Sequence, residues 1–364
     1  MTRSSSPWYA SRVQASLDTH AKKMCQHTAH LHYKSPIHQF RRKRILYVNT
    51  TASQILSGSF YPSPITYQTS CNGTPSQFIE YTDRIAERFL LDIIRPCSPH
   101  IIHPHCFHRF GPSGSRKALS HLYKDLHSQR YHYLLRLDIK SFYASIHHLT
   151  LIDLLKQDFN DTRLLDLFER FITRYLYTPK GFSNPDFGLS YRSPLSQFFA
   201  SIYLKPLDQA FDHMAVSYTR YMDDIVILCR SHNQFKKARA KVFRILQSLK
   251  LTLSPKKSYM GPLTDFHYLG AMIKVTPSFD LCNTQIYTCL HPRTMLKALN
   301  KAKVSAAFGS ATHNLRQYLI RWARWWALAT QRSALSCLQE LLSWSKSNWL
   351  SALIEATILS DPVP

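Results

Sequence analysis

Acidic residues are scarce in this sequence of 364 residues. It contains 22 aspartate and glutamate residues against 46 lysine and arginine residues, which gives a formal net charge of +24. A merely solubilising surface carries both signs in rough balance, so an excess of this size indicates a polyanionic partner such as nucleic acid. The deficit is greatest near the N-terminus, where Asp18 is the only acid before Glu80 and a basic run occupies Arg41–Arg44.

The sequence also lacks the features of a membrane or disulfide-bonded protein. No apolar run is long enough to span a bilayer, and no membrane partner is expected. The eight cysteines include no Cys-x-x-Cys pair, which predicts reduced thiols and a cytoplasmic location. The first 24 residues have no apolar secretory segment, although basic, acid-poor N-termini also occur in organellar transit peptides. We interpret residues 1–40 as a flexible basic extension.

Two adjacent acids separate two strand-like segments. Asp223 and Asp224 follow the aromatic segment Ser217–Met222 and precede the apolar segment Ile225–Leu228, which predicts a β-hairpin with acids at its turn. Like charges at this spacing repel each other, and a divalent cation removes the repulsion. Carboxylate oxygens suit Mg²⁺ or Mn²⁺. The alternative is a solvated turn, because aspartate also favours turns.

A second apolar segment, Leu134–Asp138, ends in a single carboxylate. In-line nucleotidyl transfer uses two metal ions roughly 3.5–4 Å apart to hold the attacking and leaving oxygens. An aspartate at the end of one strand, facing two aspartates on a neighbouring hairpin, provides ligands for such a pair. Asp138 could instead cap a following helix, but two independent strand-to-acid patterns favour a metal site.

These residues resemble the palm motifs of reverse transcriptases, and further blocks follow in the order of that family over about residues 80–273. The resemblance rests on Thr82–Ile85, Phe110–Leu119, Asp138–Tyr143, Gly188–Asp208, Tyr218–Asp224, Leu251–Ser258 and Phe266–Gly270. It implies an RNA-directed DNA polymerase, a nucleotidyltransferase. The implied fold class is α+β, in the right-hand form with an antiparallel palm sheet and an α-helical thumb.

The resemblance also implies a role for each matched residue. The expected metal ligands are Asp138, the Ile139 carbonyl, Asp223 and Asp224, and the expected ion is Mg²⁺, with Mn²⁺ as the alternative. Lys257 is expected to act with the aspartates as an acid toward pyrophosphate. The expected substrate contacts are Tyr143, Ser196, Gln197, Tyr221 and Met222. Expected partners are an RNA template, a DNA or RNA primer, deoxynucleoside triphosphates and a structured non-coding RNA.

Tyr143 is the expected sugar gate, because an aromatic ring there would overlap a ribose 2′-hydroxyl. Strand alternation directs Phe142 and Tyr143 to opposite faces, which favours one buried ring and one ring at the site. The sequence departs from the family pattern at Ser190 and Arg192, where relatives usually carry proline and glycine. The Ser196–Gln197 pair resembles bacterial enzymes of diversity-generating retroelements and defence systems, within a broader group II intron-like family.

The order of the motifs predicts the domain organisation. We expect fingers over residues 41–134, a palm over 135–273 with a helical insertion near 151–187, and a thumb over 274–358. Residues 57–77, rich in serine, proline and threonine, are interpreted as a loop. Two other functions remain open at this point: an RNA-binding maturase or ribonucleoprotein subunit, and protein-primed DNA synthesis without a template.

Overall fold

The computed structural model describes residues 7–29, 31–69, 75–108, 114–128, 131–276, 285–307, 312–330, 332–345, 351–352 and 354–355. The chain divides into two compact units. The first unit comprises residues 1–104, 139–210 and 243–252, and the second comprises 105–138, 211–242 and 253–364. Each unit is therefore built from segments that are far apart in the sequence.

The described residues form a mixture of helices and strands. In chain order the helices are α1 (Ala10–His27), α2 (Pro36–Arg42), α3 (Arg44–Ser57), α4 (Tyr81–Ile94), α5 (Ser98–Ile101), α6 (Gly114–Ser128), α7 (Phe142–Ser145), α8 (His148–Asp158), α9 (Thr162–Ile172), α10 (Ser196–Tyr203), α11 (Lys205–Ala210), α12 (His232–Ser248), α13 (Pro292–Ala307), α14 (Thr312–Thr330) and α15 (Ala334–Trp344). The strands are β1 (Ile65–Thr69), β2 (Pro75–Phe78), β3 (Tyr133–Asp138), β4 (Leu176–Thr178), β5 (Gly181–Ser183), β6 (Ser217–Tyr221), β7 (Asp224–Cys229), β8 (Tyr259–Pro262), β9 (Phe266–Tyr268), β10 (Ala271–Thr276) and β11 (Gln285–Leu290).

The N-terminal segment is not the flexible extension that its composition suggested. Residues 10–27 form helix α1, whose buried residues recur every four positions: Val13, Leu17, Ala21 and Cys25. This spacing places them on one face of a helix. Just before α1, the Trp8 indole donates a hydrogen bond of 2.7 Å to Asp161. The basic residues occupy the outer surface, so a folded helix is compatible with the acid-poor composition.

The interpretation of residues 57–77 as a loop was also wrong in part. Within this segment, β1 and the start of β2 pair antiparallel, and β1 pairs in parallel with β4 to give a sheet of order β2-β1-β4-β5. Residues 151–187, for which a helical insertion was predicted, contain most of α8, all of α9 and the β4–β5 hairpin. Turn-forming composition hid these strands, because they are short and, among the β1 side chains that the structure describes, Ile65 alone is buried.

A buried polar network connects α4 to the segment before α10. The Arg174 guanidinium lies 3.0 Å from Glu87 and 3.8 Å from Asp83. The Ser193 hydroxyl donates a hydrogen bond of 2.8 Å to Glu87, and the Ser63 amide donates one of 2.9 Å to Asp83. Both acids are almost completely buried, 2% exposed for Asp83 and 0% for Glu87. The network therefore fixes the interior of the first unit.

The second unit contains an antiparallel sheet of order β6-β7-β3-β8. β3 and β7 lie in the centre, and the apolar residues of β7 from Ile225 to Cys229 are at most 1% exposed. A second antiparallel sheet has the order β11-β10-β9. Its buried residues join α6, α13, α14 and α15 in one apolar core that includes Trp326. Helices and antiparallel sheets in layers confirm the α+β class.

The hairpin expected at Phe266–Gly270 is present as β9 and β10. Leu269 and Gly270 both have positive φ angles, 47° and 87°, as the favoured two-residue hairpin turn requires. A Cβ atom on Gly270 would lie 2.8 Å from the Thr294 hydroxyl and 3.2 Å from the Trp326 ring. Beyond this hairpin the chain continues as strand β11, so the helices of the expected thumb begin only at Pro292. No helix in the described part of the chain is long and apolar enough to cross a membrane.

Candidate active site

The carboxylates of Asp138 and Asp224 stand at the same edge of the second unit's central sheet. β3 ends at Asp138 and β7 begins at Asp224, and the two residues are directly paired across the antiparallel ladder. Leu134, Leu135 and Leu137 anchor β3 in the core. The apolar strands therefore hold two acids side by side at their ends, as the sequence pattern predicts.

Asp223 lies in the tight turn between β6 and β7. Tyr221 pairs with Asp224, so Met222 and Asp223 form a two-residue turn. Met222 has a positive φ of 57°, which is uncommon outside glycine and marks a position of functional interest. The fully buried Arg220 donates a hydrogen bond of 3.1 Å to the Met222 carbonyl. The turn is thus held from inside the protein by a cation.

The loop before β8 fixes Asp138 through three contacts. The Ser254 amide donates a hydrogen bond of 2.8 Å to the Asp138 carbonyl. The Ser258 hydroxyl lies 3.1 Å from the Asp138 amide and 3.2 Å from its carbonyl. The Lys257 ammonium lies 3.3 Å from the Asp138 carboxylate, and the two side chains are 66% and 16% exposed. The predicted catalytic lysine is therefore brought to the predicted metal ligand.

The carboxylates repel one another in a partly buried setting. Burial raises the pKa of Asp224 to about 6, and the charges of Asp223 and Asp138 add to the increase. Burial also raises the pKa of Asp223, and the Asp138 charge acts in the same direction. Lys257 opposes both increases, as do Arg136 at Asp224 and Arg220 at Asp223. The cluster would be stabilised by additional positive charge.

The carboxylates fit a Mg²⁺ site in which substrate oxygens and water complete the coordination of the ion. Among the described residues, no three histidine, cysteine, aspartate or glutamate side chains are arranged to enclose a metal ion by themselves. Mg²⁺ usually keeps several waters and binds one or two carboxylates together with substrate phosphates. An open edge with oxygen donors and raised pKa values agrees with this type of site. Asp138 and Asp224 are paired across the ladder and Asp223 directly precedes Asp224 in the turn, so all three carboxylates are candidate ligands.

A comparison with known protein families also supports a polymerase active site. The model described as reverse transcriptase (RNA-dependent DNA polymerase) matches residues 75–273, more than half of the chain. The chain belongs to the reverse transcriptase family. It is therefore an RNA-directed DNA polymerase, a nucleotidyltransferase that binds a nucleic-acid template, a primer and deoxynucleoside triphosphates. No curated protein matches the chain significantly.

The other residues predicted for this reverse transcriptase lie in the first unit. Gln197 is exposed on the first turn of α10, whereas Ser196 is 2% exposed and donates its hydroxyl to the Ser190 carbonyl. Tyr143 is partly exposed beside the buried Phe142. The expected strand alternation was wrong here, because residues 142–145 form the short helix α7 after Ser141 adopts a positive φ of 47°. Helical rotation, and not strand pleating, sets the different exposure of the two rings, whose centroids lie 5.8 Å apart in an edge-to-face contact.

The two departures from the family pattern make contacts with one strand. The Ser190 hydroxyl donates a hydrogen bond of 2.7 Å to the Gln77 side chain, and the Arg192 guanidinium donates one of 3.1 Å to the Ser76 hydroxyl. Ser76 and Gln77 are neighbours on β2. Proline and glycine at positions 190 and 192 could make neither contact. The departures therefore attach the segment before α10 to the β1–β2 hairpin.

Three supporting residues of the second unit were missed by the sequence analysis. Arg220 and Ser258 hold the backbone around the acids, as described above. Arg136 on β3 donates a hydrogen bond of 2.8 Å to His267. Burial and the Arg136 charge lower the pKa of His267 to about 4, so the ring is neutral and can accept this bond. An arginine between apolar strand residues was the available signal for Arg136.

Proposed function

We propose that this reverse transcriptase extends a primer 3′-hydroxyl through divalent ions bound by Asp138, Asp223 and Asp224, with the Ile139 carbonyl as a further ligand. The observation that carries the proposal is the direct pairing of Asp138 with Asp224 beside the Asp223 turn. Mg²⁺, or Mn²⁺ in its place, would lower the pKa of the hydroxyl and neutralise the pyrophosphate that leaves.

The protein's own groups place and neutralise the reacting charges. β3 and β7 fix the two paired carboxylates, and Arg220 fixes the turn that carries Asp223. The Lys257 ammonium is exposed and lies 3.3 Å from the Asp138 carboxylate, so it can donate a proton to the leaving pyrophosphate. Charge stabilisation and in-line placement provide most of the rate acceleration in phosphoryl transfer. Tyr221 and Met222 flank the acids and are proposed substrate contacts, with Ser196 and Gln197.

Tyr143 is proposed to select deoxyribonucleotides. Its ring is partly exposed, as a substrate contact must be. A ring that overlaps a 2′-hydroxyl discriminates by about 1–3 kcal/mol, or roughly tenfold to a hundredfold. A Tyr143→Ala variant that keeps the parent's ratio of deoxyribonucleotide to ribonucleotide incorporation would refute this role.

The wider setting is proposed on the motif pattern. The Ser196–Gln197 pair supports a bacterial, group II intron-like enzyme of a retroelement or phage-defence system, acting in the cytoplasm with a structured non-coding RNA as partner. The right-hand organisation is proposed with fingers over 41–134, palm over 135–273 and thumb over 274–358. The antiparallel sheet that carries the acids supports the palm assignment.

The metal proposal is tested by the Asp223→Asn variant. We expect nucleotide incorporation to fall by more than about a hundredfold. Removing a group that only supports a metal ligand typically costs up to about a hundredfold, and Asp223 is proposed to be a ligand itself. Affinity for a primer–template should change little. Asp153→Asn, which removes an exposed carboxylate from α8, is the control and should retain full activity. Primer extension in Mg²⁺ with Asp223→Asn within a few-fold of the parent would contradict the assignment.

A further inference from the structure

The N-terminal helices α1–α3 carry a cleft that the polymerase motifs do not explain. Its volume is about 650 Å³, and it lies along the second half of α1 and the junction of α2 with α3. The match to the reverse transcriptase family begins at residue 75, after all three helices. A structural role alone does not require an open cleft, because the helices already pack through their buried faces.

The lining of this cleft is strongly basic. Lys22 and the whole run Arg41–Arg44 line it, and no acid does so. Asp18 lies nearby and pairs with Lys22 at 2.7 Å and with Arg44 at 3.5 Å. In the described part of the chain, neither Arg42 nor Lys43 has a carboxylate within ion-pair distance. Two exposed cations without counter-ions indicate an anionic ligand.

Contacts among α1, α2 and α3 hold the walls of the cleft in place. Arg41 donates a hydrogen bond of 2.7 Å to the Cys25 carbonyl, which connects α2 to α1. Phe40 is buried and stacks on Tyr47 of α3 with 5.5 Å between the ring centroids. A guanidinium has five N–H donors, so Arg41 retains donors for a ligand. The cations are therefore presented by a folded surface.

The rim of the cleft is apolar. Ile45 is 66% exposed and Leu46 is 60% exposed, and both line the same cleft. Charge combined with apolar surface suits a ligand that has phosphates and flat bases. Folded RNA offers such groups where loops expose unstacked bases. A bilayer surface cannot enter a concave cleft, and a membrane-binding helix presents a continuous apolar face that α3 does not, since its main apolar face is buried.

We propose that this cleft is a second RNA-binding site, which holds an unpaired loop of the template RNA away from the nucleotides being copied. The proposal rests on membership of an RNA-directed polymerase family and does not depend on the metal ligands. The cleft would increase affinity for structured templates without taking part in nucleotide transfer.

The test compares two double variants of the full chain. Arg42→Gln with Lys43→Gln removes the two unpaired cations from the cleft. Lys236→Gln with Lys237→Gln removes the same charge from the exposed surface of α12. Binding of a fluorescein-labelled RNA stem-loop is followed by anisotropy over a range of salt concentrations, with a DNA hairpin of the same sequence in parallel. Thermal unfolding checks that both variants fold, and Arg42→Ala alone is a milder second variant.

We expect the cleft variant to bind the RNA stem-loop about tenfold more weakly. Its slope of log affinity against log salt should fall by about 1.5, because each lost phosphate contact removes about 0.7–0.9. The α12 variant should bind within about twofold of the parent, since diffuse surface charge contributes little at one position. Primer extension on a short unstructured template should be unchanged in both variants.

Three results would overturn the proposal. Equal weakening by both double variants would show diffuse attraction instead of a site. Equal weakening toward the DNA hairpin would remove the preference for RNA. Loss of binding to phosphatidylserine vesicles with unchanged RNA affinity would assign the cleft to a membrane. Failure of the Asp223→Asn test would leave these RNA affinities unaffected, so the two proposals can fail separately.

Discussion

Two clusters of acids in this basic protein have opposite surroundings. Asp83 and Glu87 in the first unit are buried, and both lie within ion-pair distance of Arg174. Glu87 also accepts a hydrogen bond from the Ser193 hydroxyl, and Asp83 accepts one from the Ser63 amide. Asp138, Asp223 and Asp224 in the second unit stand at a sheet edge, only partly buried. Burial raises pKa values in both clusters, so a raised pKa alone does not identify a catalytic site. Two properties distinguish the second cluster: its carboxylates are accessible to solvent, and additional positive charge would stabilise them.

The largest effect is expected from breaking the closed cluster. Arg174→Met leaves Glu87 buried without the cation that lies 3.0 Å away, and removal of one partner from a buried ion pair typically lowers the free energy of unfolding by about 3–5 kcal/mol. Lys274→Met is the control, because its pair with Asp265 is 39% and 43% exposed, and the free energy of unfolding should change far less when this exposed pair is broken. Urea unfolding measures both, and equal effects would show that burial does not separate the pairs.

The second prediction concerns Lys257, which lies beside the open cluster of Asp138, Asp223 and Asp224. Lys257→Gln should lower kcat about a hundredfold, the lower range for loss of general acid catalysis, while the free energy of unfolding changes little because the side chain is 66% exposed. Lys256→Gln removes the neighbouring exposed lysine and should retain kcat. Single-turnover primer extension distinguishes the two variants. An equal decrease of kcat in both variants would show that Lys257 acts only as part of a diffuse basic patch and not as a proton donor.

The effect that is smallest per step of the measurement is a dependence of stability on pH. Burial raises the pKa of Asp83 from 3.8 to about 8, so the folded protein retains a proton that the unfolded chain releases. The contribution of Asp83 to stability is therefore greatest below about pH 4 and decreases as the pH rises toward 8. Asp83→Asn removes this titration and should flatten the decrease by up to about 1.4 kcal/mol per pH unit. Unfolding in urea at several pH values checks the slope, and parallel curves for parent and variant would contradict it.

The parts of the site that could be predicted are those with local sequence patterns. The β6–β7 hairpin followed from an aromatic segment, two acids and an apolar segment, and Asp138 followed from the end of an apolar strand. The support that Arg220 and Ser258 give to these acids arises from tertiary contacts, and no spacing in the sequence encodes it. Phe142 is buried as expected, but the reason was wrong, because a short helix and not a continued strand follows Asp138. The contact of Tyr143 with the substrate stays a prediction.

The errors in the fold came from composition that outweighed periodicity. In α1 the four-residue spacing from Val13 to Cys25 was visible, but the basic, acid-poor composition favoured an unfolded extension. In β1 and β2 the serine, proline and threonine residues favoured a loop, although short strands require only one or two buried side chains. Composition describes the outer surface of an element, whereas periodicity describes the face that it buries.

The central claim is that the open acid cluster serves catalysis and not folding, and Asp224→Asn tests it most directly. One sample of this variant should be examined by primer extension in Mg²⁺ and by urea unfolding. The account predicts a loss of incorporation of more than about a hundredfold with an unfolding free energy equal to or above that of the parent, because one of three repelling carboxylates is removed. Retained activity, or a clear loss of stability, would contradict it.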